Sequence, residues 1–263
     1  MKNQSEPDYY RTYVEECGAR EKTDGYNRRY SSEPRASDLV LLSILEELAS
    51  ERSEPLRLLD VGCGNGNLLR MIAHQFPSWQ LFGMDPAEPI IAECANDPSL
   101  AGVTFFWGDV LESSVEHLGG QKFDIVLVNA VLQVLTATQI LEAYTALFSY
   151  LHTSGHLINF DGYFESEEVS SVTVHLDYES SDLDNFQGSR HTYLSLNFAS
   201  KALKEKGFTQ IEFTPFFVPV ELAREKENPR KTFTLDLSDG RRLSMLEVIA
   251  QPWCFLTATR LHT

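Results

Sequence analysis

Cysteine is scarce in this sequence, and long apolar runs are missing from it. The four cysteines, Cys17, Cys63, Cys94 and Cys254, are far apart and form no Cys-x-x-Cys pair, which argues against a disulfide framework and against a zinc site. No stretch approaches the roughly 18 apolar residues that a membrane-spanning helix needs. The first residues lack the apolar segment of a signal peptide. We therefore expect a cytoplasmic chain with reduced thiols, no metal and no membrane partner.

Basic residues are also few. Lysine and arginine number 22 against 38 acidic residues, which gives a formal net charge of -16. A surface this acidic repels phosphate backbones unless it carries a local basic patch, so we expect no nucleic-acid partner. The hydrophobic share of 43% is ordinary for a globular protein, and 263 residues suit one large domain with modest insertions.

Up to residue 160, strand-like apolar segments alternate with amphipathic helical ones. The predicted strands are 57–61, 80–84, 103–107, 123–128 and 155–160, and the predicted helices are 37–48, 68–76, 87–96, 112–118 and 138–151. Such alternation implies right-handed crossovers and a parallel sheet with helices on both faces. The sequence therefore predicts an α/β, doubly wound domain.

Beyond residue 160 the pattern changes. Apolar and polar residues alternate over 169–178 and 191–196, which is typical of antiparallel strands with one wet face. The step Asp239-Gly240 predicts a hairpin between strands 232–237 and 241–246. We divide the chain into an N-terminal arm, 1–36, and a domain, 37–263, with insertions at 161–197 and 215–250.

A glycine-rich loop joins the first strand to its helix. Its glycines fall at every second position, as Gly62, Gly64 and Gly66, and not in the G-x-G-x-x-G spacing of dinucleotide-binding folds. Asp60 stands two residues before the first glycine. A carboxylate there opposes a pyrophosphate at the helix N-terminus and suits a ligand that presents an ammonium group.

Two further carboxylates end neighbouring predicted strands. Asp85 closes the second strand, where a carboxylate can accept both hydroxyls of a ribose. Asp109 follows the third strand, where it can accept from an exocyclic amine such as that of adenine. An ammonium, a ribose and an adenine, in that order along three strand ends, describe S-adenosylmethionine.

At these motifs the sequence resembles the class I S-adenosylmethionine-dependent methyltransferases. The motifs are Asp60-Val61-Gly62-Cys63-Gly64-Asn65-Gly66, Gly83-Met84-Asp85, Gly108-Asp109-Val110, and Phe123-Asp124-Ile125-Val126-Leu127-Val128-Asn129-Ala130. The resemblance implies a mostly parallel seven-stranded sheet with an antiparallel last strand, here Trp253 to Arg260. The inserted antiparallel strands would then form a lid or a small subdomain.

The resemblance also implies which residues hold the cofactor. They are Asp60, Gly62, Cys63, Gly64, Asp85, Pro86, Gly108, Asp109, Val110, Asn129 and Ala130. Arg29 and Tyr30 precede the first helix, and an arm there can fold over the cofactor; a plain surface arm is the alternative.

Three residues are candidates for the acceptor side. Asp161 follows the predicted fifth strand, where a general base can sit, although a turn residue is the alternative. His175 and His191 lie on the inserted strands and would contact the acceptor if residues 161–197 cover its pocket.

No motif commits the sequence to one acceptor. Transfer of a methyl group to an oxygen or nitrogen of a small molecule is our leading hypothesis. An RNA- or protein-directed methyltransferase and a non-catalytic cofactor-binding scaffold stay open, as does a homodimer.

Overall fold

The computed structural model describes residues 36–176, 189–216, 233–236, 242–246, 249–251 and 253–260. Nearly all of the predicted arm, with Arg29 and Tyr30, lies outside the described residues. The turn predicted at Asp239-Gly240 also lies outside them.

A parallel sheet forms the first half of the domain. Its strands are β1 (Arg57–Val61), β2 (Gln80–Asp85), β3 (Thr104–Trp107), β4 (Phe123–Asn129) and β5 (Leu151–Phe164). They lie in the order β3-β2-β1-β4-β5, and each neighbouring pair is parallel. The central strands β1 and β4 are mostly buried and carry the apolar runs Leu58-Leu59 and Ile125 to Val128, as expected of parallel strands covered by helices on both faces.

Two later strands complete the sheet. β12 (Trp253–Arg260) inserts antiparallel between β5 and β8 (Phe208–Pro215). The path β3-β2-β1-β4-β5-β12-β8 therefore has seven strands, mostly parallel, with an antiparallel last strand in the chain. The fold predicted from the sequence is confirmed.

Antiparallel strands lie in both predicted insertions. β6 (Ser171–Leu176) pairs antiparallel with β7 (Ser189–Ser195), and the end of β7 runs parallel to the end of β5. β9 (Phe233–Asp236), β10 (Arg242–Leu246) and β11 (Ile249–Gln251) form a separate three-stranded antiparallel sheet. The fifth strand, predicted over 155–160, is longer than predicted, because residues 151–154 and 161–164 also belong to β5.

Helices cover both faces of the sheet. They are α1 (Ala36–Ser50), α2 (Asn67–Gln75), α3 (Glu88–Asn96), α4 (Ala137–Tyr150) and α5 (Leu196–Glu205). One apolar cluster joins α1, α2 and α3 to the sheet, through residues such as Leu45 and Ile72. The other joins α4 and α5 to the opposite face, through Tyr144 and Leu203. No helix among the described residues is long and apolar enough to cross a bilayer.

The short helix predicted at 112–118 is wrong, because the structure has only turns there. Serine side chains compete for the main-chain amides: Ser113 Oγ accepts from the Asp109 N–H, and Ser114 Oγ lies 3.4 Å from the His117 nitrogen. Gly119 and Gly120 then adopt positive φ values of 70° and 72°, which end any right-handed helical path.

Candidate functional site

The glycine loop turns sharply at the carboxyl end of β1. Gly62, Gly64 and Gly66 have φ values of 75°, 50° and 72°, a region that favours glycine because a Cβ crowds the backbone there. The main-chain amides of Gly62 and Cys63 both donate to the Met84 carbonyl oxygen, at 2.7 and 3.1 Å. The loop is thus fastened to the neighbouring strand β2.

Gly62 and Gly64 face different surroundings. A Cβ on Gly62 would lie 2.3 Å from Cγ2 of Val131, so this glycine permits close packing. A Cβ on Gly64 would meet no described atom within 4 Å. Gly64 is itself buried, but the described structure leaves room beside its backbone, where a ligand can approach closely.

Asp85 links the glycine loop to the end of β2. Its Oδ2 atom accepts the Gly64 N–H at 3.0 Å, and its Oδ1 atom accepts the Ala87 N–H at 2.9 Å. Burial raises the pKa of this carboxyl, and the two amide hydrogen bonds oppose that effect. Each carboxylate oxygen retains a further lone pair, so Asp85 can still accept from a ligand.

Asp60 is a buried carboxylate behind the loop. Its side chain is 2% exposed, and its Oδ1 atom has no hydrogen-bond partner within the described structure. Burial, with smaller contributions from Asp85 and Asp38, raises its pKa to about 7. An unsatisfied buried acceptor is costly, and a positively charged donor would relieve that cost.

The end of β3 carries an exposed indole. Trp107 pairs with Asp85 in register, is 55% exposed and donates from Nε1 to the Pro86 carbonyl oxygen at 3.0 Å. The ring is therefore held at the site edge, where it can form an apolar wall.

The segment after Trp107 is a compact turn. Asp109 Oδ1 accepts the Leu111 N–H at 2.7 Å, and a Cβ on Gly108 would lie 2.5 Å from Ser113 Oγ. Asp109 is partly buried and remains at the site edge. Val110 packs in the apolar core, so only its main chain can face a ligand.

A sharp turn follows β4. Ala130 has a φ of 59°, and its N–H donates to the Phe160 carbonyl oxygen at 2.8 Å. Asn129, at the end of β4, pairs in register with Phe160 and is partly buried. The turn places residues 131–134, including Val131, beside the glycine loop. We call residues 131–134 the bridging turn.

Asp161 lies inside β5 and belongs to a buried polar network. Its Oδ2 atom accepts the Leu132 N–H at 3.1 Å and the Asn159 Nδ2 at 2.8 Å. Tyr163 donates to Asn159 Oδ1, and its hydroxyl lies 3.5 Å from that of Tyr144. Burial raises the pKa of Asp161 to about 7, against the lowering effect of the Asn159 amide and of the main-chain N–H groups of Leu132 and Gln133.

Sequence reasoning missed Asn159, Tyr163 and Gln133 as site neighbours. Asn159, Asp161 and Tyr163 are two residues apart and share one face of β5, and that spacing was the available signal. It was overlooked because Asp161-Gly162 suggested a turn.

The two predicted histidines lie on the inserted strands. His191, in β7, is partly buried, and its ring lies parallel to that of Tyr193 at 6.3 Å between centroids. Burial raises the pKa of the Tyr193 hydroxyl to about 12, and the Asp161 carboxylate adds to that rise. His175 pairs with Arg190 in the β6–β7 ladder, and its side chain lies outside the described part of the molecule. The structure thus brings the end of β7 beside the end of β5, and the contact of His175 with the acceptor stays a prediction.

The thiols of Cys63, Cys94 and Cys254 are buried. The thiols of Cys63 and Cys94 both point to the Gly64 carbonyl oxygen, at 3.7 and 3.4 Å, so they pack behind the loop. Among the described residues no group of three or more His, Cys, Asp or Glu side chains is placed to hold a metal ion.

Comparison with known proteins identifies the central part of this domain. Residues 59–157 match the family model described as a methyltransferase domain. A malonyl-[acyl-carrier protein] O-methyltransferase of Bacillus cereus is 30% identical over 130 residues, which cover 49% of this chain and 46% of that protein. A tRNA1(Val) (adenine(37)-N6)-methyltransferase of Porphyromonas gingivalis is 35% identical over 99 residues, 35% of this chain and 38% of that protein. The chain therefore spans less than half the length of either relative.

A solved structure extends the likeness to the whole fold. The 1,6-didemethyltoxoflavin-N1-methyltransferase of Burkholderia thailandensis, solved with S-adenosylhomocysteine, has a TM-score of 0.58 at 14% identity, covering 100% of this chain and 93% of that one. The resemblance recognised from the sequence is confirmed: residues 59–157 match a methyltransferase domain, and the fold as a whole is that of a solved methyltransferase.

Proposed function

We propose that the chain is an S-adenosylmethionine-dependent methyltransferase that acts on an oxygen or nitrogen of a small-molecule acceptor. The observation that carries the proposal is the glycine loop, which has unfilled space beside Gly64 and is hydrogen-bonded there to the Asp85 carboxylate. The family model match and the relatives named above support methyl transfer as the reaction.

The residues of the loop fit S-adenosylmethionine. Asp60 offers a buried carboxylate oxygen to its ammonium group, and Asp85 offers remaining lone pairs to the ribose hydroxyls. Asp109 and the Trp107 ring lie at the end of β3, where the adenine would lie. When bound, the cofactor supplies a methyl group activated by its positive sulfur.

Asp161 is the proposed general base. It lies one residue beyond Phe160, the β5 partner of Asn129, and so stands at the carboxyl edge of the parallel sheet, where open α/β sheets bind ligands. A pKa raised to about 7 suits proton transfer near neutral pH. His175 and His191 stay predicted contacts of the acceptor, and Arg29 and Tyr30 stay predicted contacts of the cofactor.

Calorimetry with purified protein tests the cofactor assignment. We expect S-adenosylmethionine and S-adenosylhomocysteine to bind, and NAD to give no binding heat, because Asp60 and the glycine spacing oppose a pyrophosphate. Binding of NAD with comparable affinity would contradict the proposal.

The tRNA-modifying relative makes an RNA acceptor the second candidate. The net charge of -16 opposes it, and so does the segment after β4, which reads Asn129-Ala130-Val131-Leu132 and not the Asn-Pro-Pro-Tyr type used for base amino groups. We expect no tRNA binding at physiological ionic strength. Tight binding that falls steeply with added salt would favour the RNA acceptor instead.

The carrier-protein relative keeps a protein-linked acceptor open, and a non-catalytic scaffold is the third candidate. Cofactor binding without turnover on any acceptor would favour the scaffold. A cytoplasmic location belongs to the same proposal and is supported by the buried free thiols of Cys63 and Cys94. A homodimer also stays a prediction.

A further inference from the structure

Two buried acceptor oxygens, one in the bridging turn and one in the part of β5 that is hydrogen-bonded to that turn, lack a partner among the described residues. They are Oδ1 of Asp161 and Oε1 of Gln133, and neither has a hydrogen-bond donor among the described residues. Asp161 is 3% exposed and Gln133 is 8% exposed. Buried polar atoms are nearly always satisfied in native proteins, so two such atoms together indicate that something else supplies their donors.

The remaining polar atoms of these two side chains are already engaged. Asp161 Oδ2 is held by the Leu132 N–H and by Asn159 Nδ2. The Gln133 Nε2 atom donates to the Ala130 carbonyl oxygen at 3.5 Å. Neither side chain can rotate to find a partner for its free oxygen without losing a contact that it has. The two oxygens are therefore fixed in place.

The two side chains lie between the glycine loop and the inserted strands. Gln133 belongs to the bridging turn, in which Val131 packs on Gly62. On its other side, β7 packs against residues 132–134 of the same turn. Asp161 hydrogen-bonds to that turn from β5. A molecule held here would be next to the glycine loop.

We propose that Asp161 and Gln133 bind an amino group of the acceptor molecule. The inference rests on the proposed methyltransferase function and names its substrate class. Two acceptor oxygens need two donor hydrogens, which an amine or ammonium group can supply from one nitrogen, whereas a hydroxyl group has only one. A carboxylate, such as the one in a malonyl group, has none when ionised and would be repelled by Asp161.

The test uses the full chain, a radiolabelled methyl donor and sets of three probe molecules. Each set contains an amine, an alcohol and a carboxylic acid on one carbon skeleton. We expect methyl transfer to amines, and a loss of at least tenfold in Gln133→Met and in Asp161→Asn. The control is Gln80→Met, at the exposed start of β2, which makes the same chemical change far from the site and should retain full activity.

Thermal unfolding separates binding from a structural role. Gln133→Met removes an oxygen that has no described partner and one long hydrogen bond, from Nε2 to the Ala130 carbonyl oxygen, so its Tm should fall by no more than about 2–4 °C; a larger fall would show a structural role. S-adenosylhomocysteine should bind all variants within twofold. Three outcomes would overturn the proposed amino-group site: transfer only to alcohols or carboxylic acids, no transfer to any amine, or full activity in Gln133→Met. Failure of the wild type to bind S-adenosylhomocysteine would instead overturn the methyltransferase proposal.

Discussion

The main-chain N–H of Gly64 donates a hydrogen bond to Oδ2 of Asp85, across 3.0 Å. This bond joins the first two sequence motifs, because Gly64 belongs to the loop after β1 and Asp85 ends β2. The same carboxylate also accepts the Ala87 N–H. Asp85 therefore shapes the loop and also offers lone pairs to a ligand. Both the cofactor affinity and the stability of the fold should depend on this one carboxylate.

Replacing Asp85 by alanine should weaken both properties. Two buried amides lose their acceptor, which should lower the free energy of unfolding by about 2–4 kcal/mol. Cofactor affinity should fall by about 1.5–3 kcal/mol, because ribose hydroxyls lose a charged acceptor. Urea denaturation and calorimetry measure the two effects. The matched control is Glu88→Ala, which removes an exposed carboxylate three residues away and should change neither; unchanged affinity in a folded Asp85→Ala protein would remove Asp85 from the site.

Alanine at Gly62 and at Gly64 should have different consequences. At Gly62 the new methyl group would meet Val131 Cγ2 at 2.3 Å, so the variant should lose about 2–4 kcal/mol of stability through strain and overpacking. At Gly64 there is space for it, so the loss should be about 1–2 kcal/mol, while the methyl group blocks the approach of a ligand. Chemical denaturation should rank Gly62→Ala as the less stable, and calorimetry should show weakened cofactor binding in Gly64→Ala.

A second substitution checks the cause assigned to Gly62. Val131→Ala removes the atoms that the new Cβ would strike, so the double variant should regain part of the stability lost in Gly62→Ala. The two sites are in contact and should therefore not behave additively. Strict additivity would show that the backbone conformation alone carries the cost.

The pH dependence of stability follows from the two buried carboxyls. Asp60 and Asp161 each have a pKa raised from 3.8 to about 7, so the folded state holds these protons more tightly than the unfolded chain. Their contribution is fully present below pH 3.8 and is lost as the pH rises through about 7. For each group, the difference between the folded and unfolded pKa corresponds to at most about 4 kcal/mol in the free energy of unfolding. Urea titrations from pH 5 to 8 should therefore show falling stability.

Asp161→Asn provides the check on that slope. It removes one titrating group, so the fall in stability between pH 5 and 8 should become smaller. The neighbouring phenols of Tyr144, Tyr163 and Tyr193 have raised pKa values and stay neutral over this range. His156, with its lowered pKa, acts in the opposite direction at the acidic end. A slope identical in the variant and the wild type would show that Asp161 is not the titrating group.

Much of the fold could be read from the sequence, because its signals are local. Buried parallel strands need continuous apolar runs, and β1 and β4 have them. The spacing of the glycines predicted the loop after β1, since the backbone geometry of a tight turn directly restricts which residues fit it. Asp85 in turn marked the end of the neighbouring strand β2.

The acceptor side could not be read in the same way, because its geometry depends on distant partners. Asp161-Gly162 suggested a turn, yet β5 continues there because β12 pairs with it, with Cys254 opposite Asp161. Gln133 carried no signal at all: its importance arises only when the turn after β4 meets β5. Such polar residues acquire their roles through tertiary contacts that periodicity does not record.

The β6–β7 hairpin offers a test of whether residues 161–197 cover the acceptor pocket. Thr173 and Thr192 face each other across its two strands, with their hydroxyls 3.3 Å apart. Replacing residues 174–190 by a four-residue Gly/Ser linker would keep this pair and the buried Tyr193 and Leu194, so the domain should still fold. The replacement removes His175 and the outer part of the hairpin.

Cofactor binding and methyl transfer should respond differently to this shortened hairpin. The glycine loop contacts Val131 of the bridging turn, which the replacement leaves in place, so S-adenosylhomocysteine affinity should stay within about twofold, or about 0.4 kcal/mol. Methyl transfer should fall by about 100-fold or more, because a site that no longer excludes water or orients the acceptor loses the advantage of proximity. The control is Thr145→Ala, on the exposed side of α4, which should retain both properties. Full turnover in the shortened protein would show that the hairpin does not cover the acceptor. The catalytic roles predicted for His175 and His191 would then have no basis.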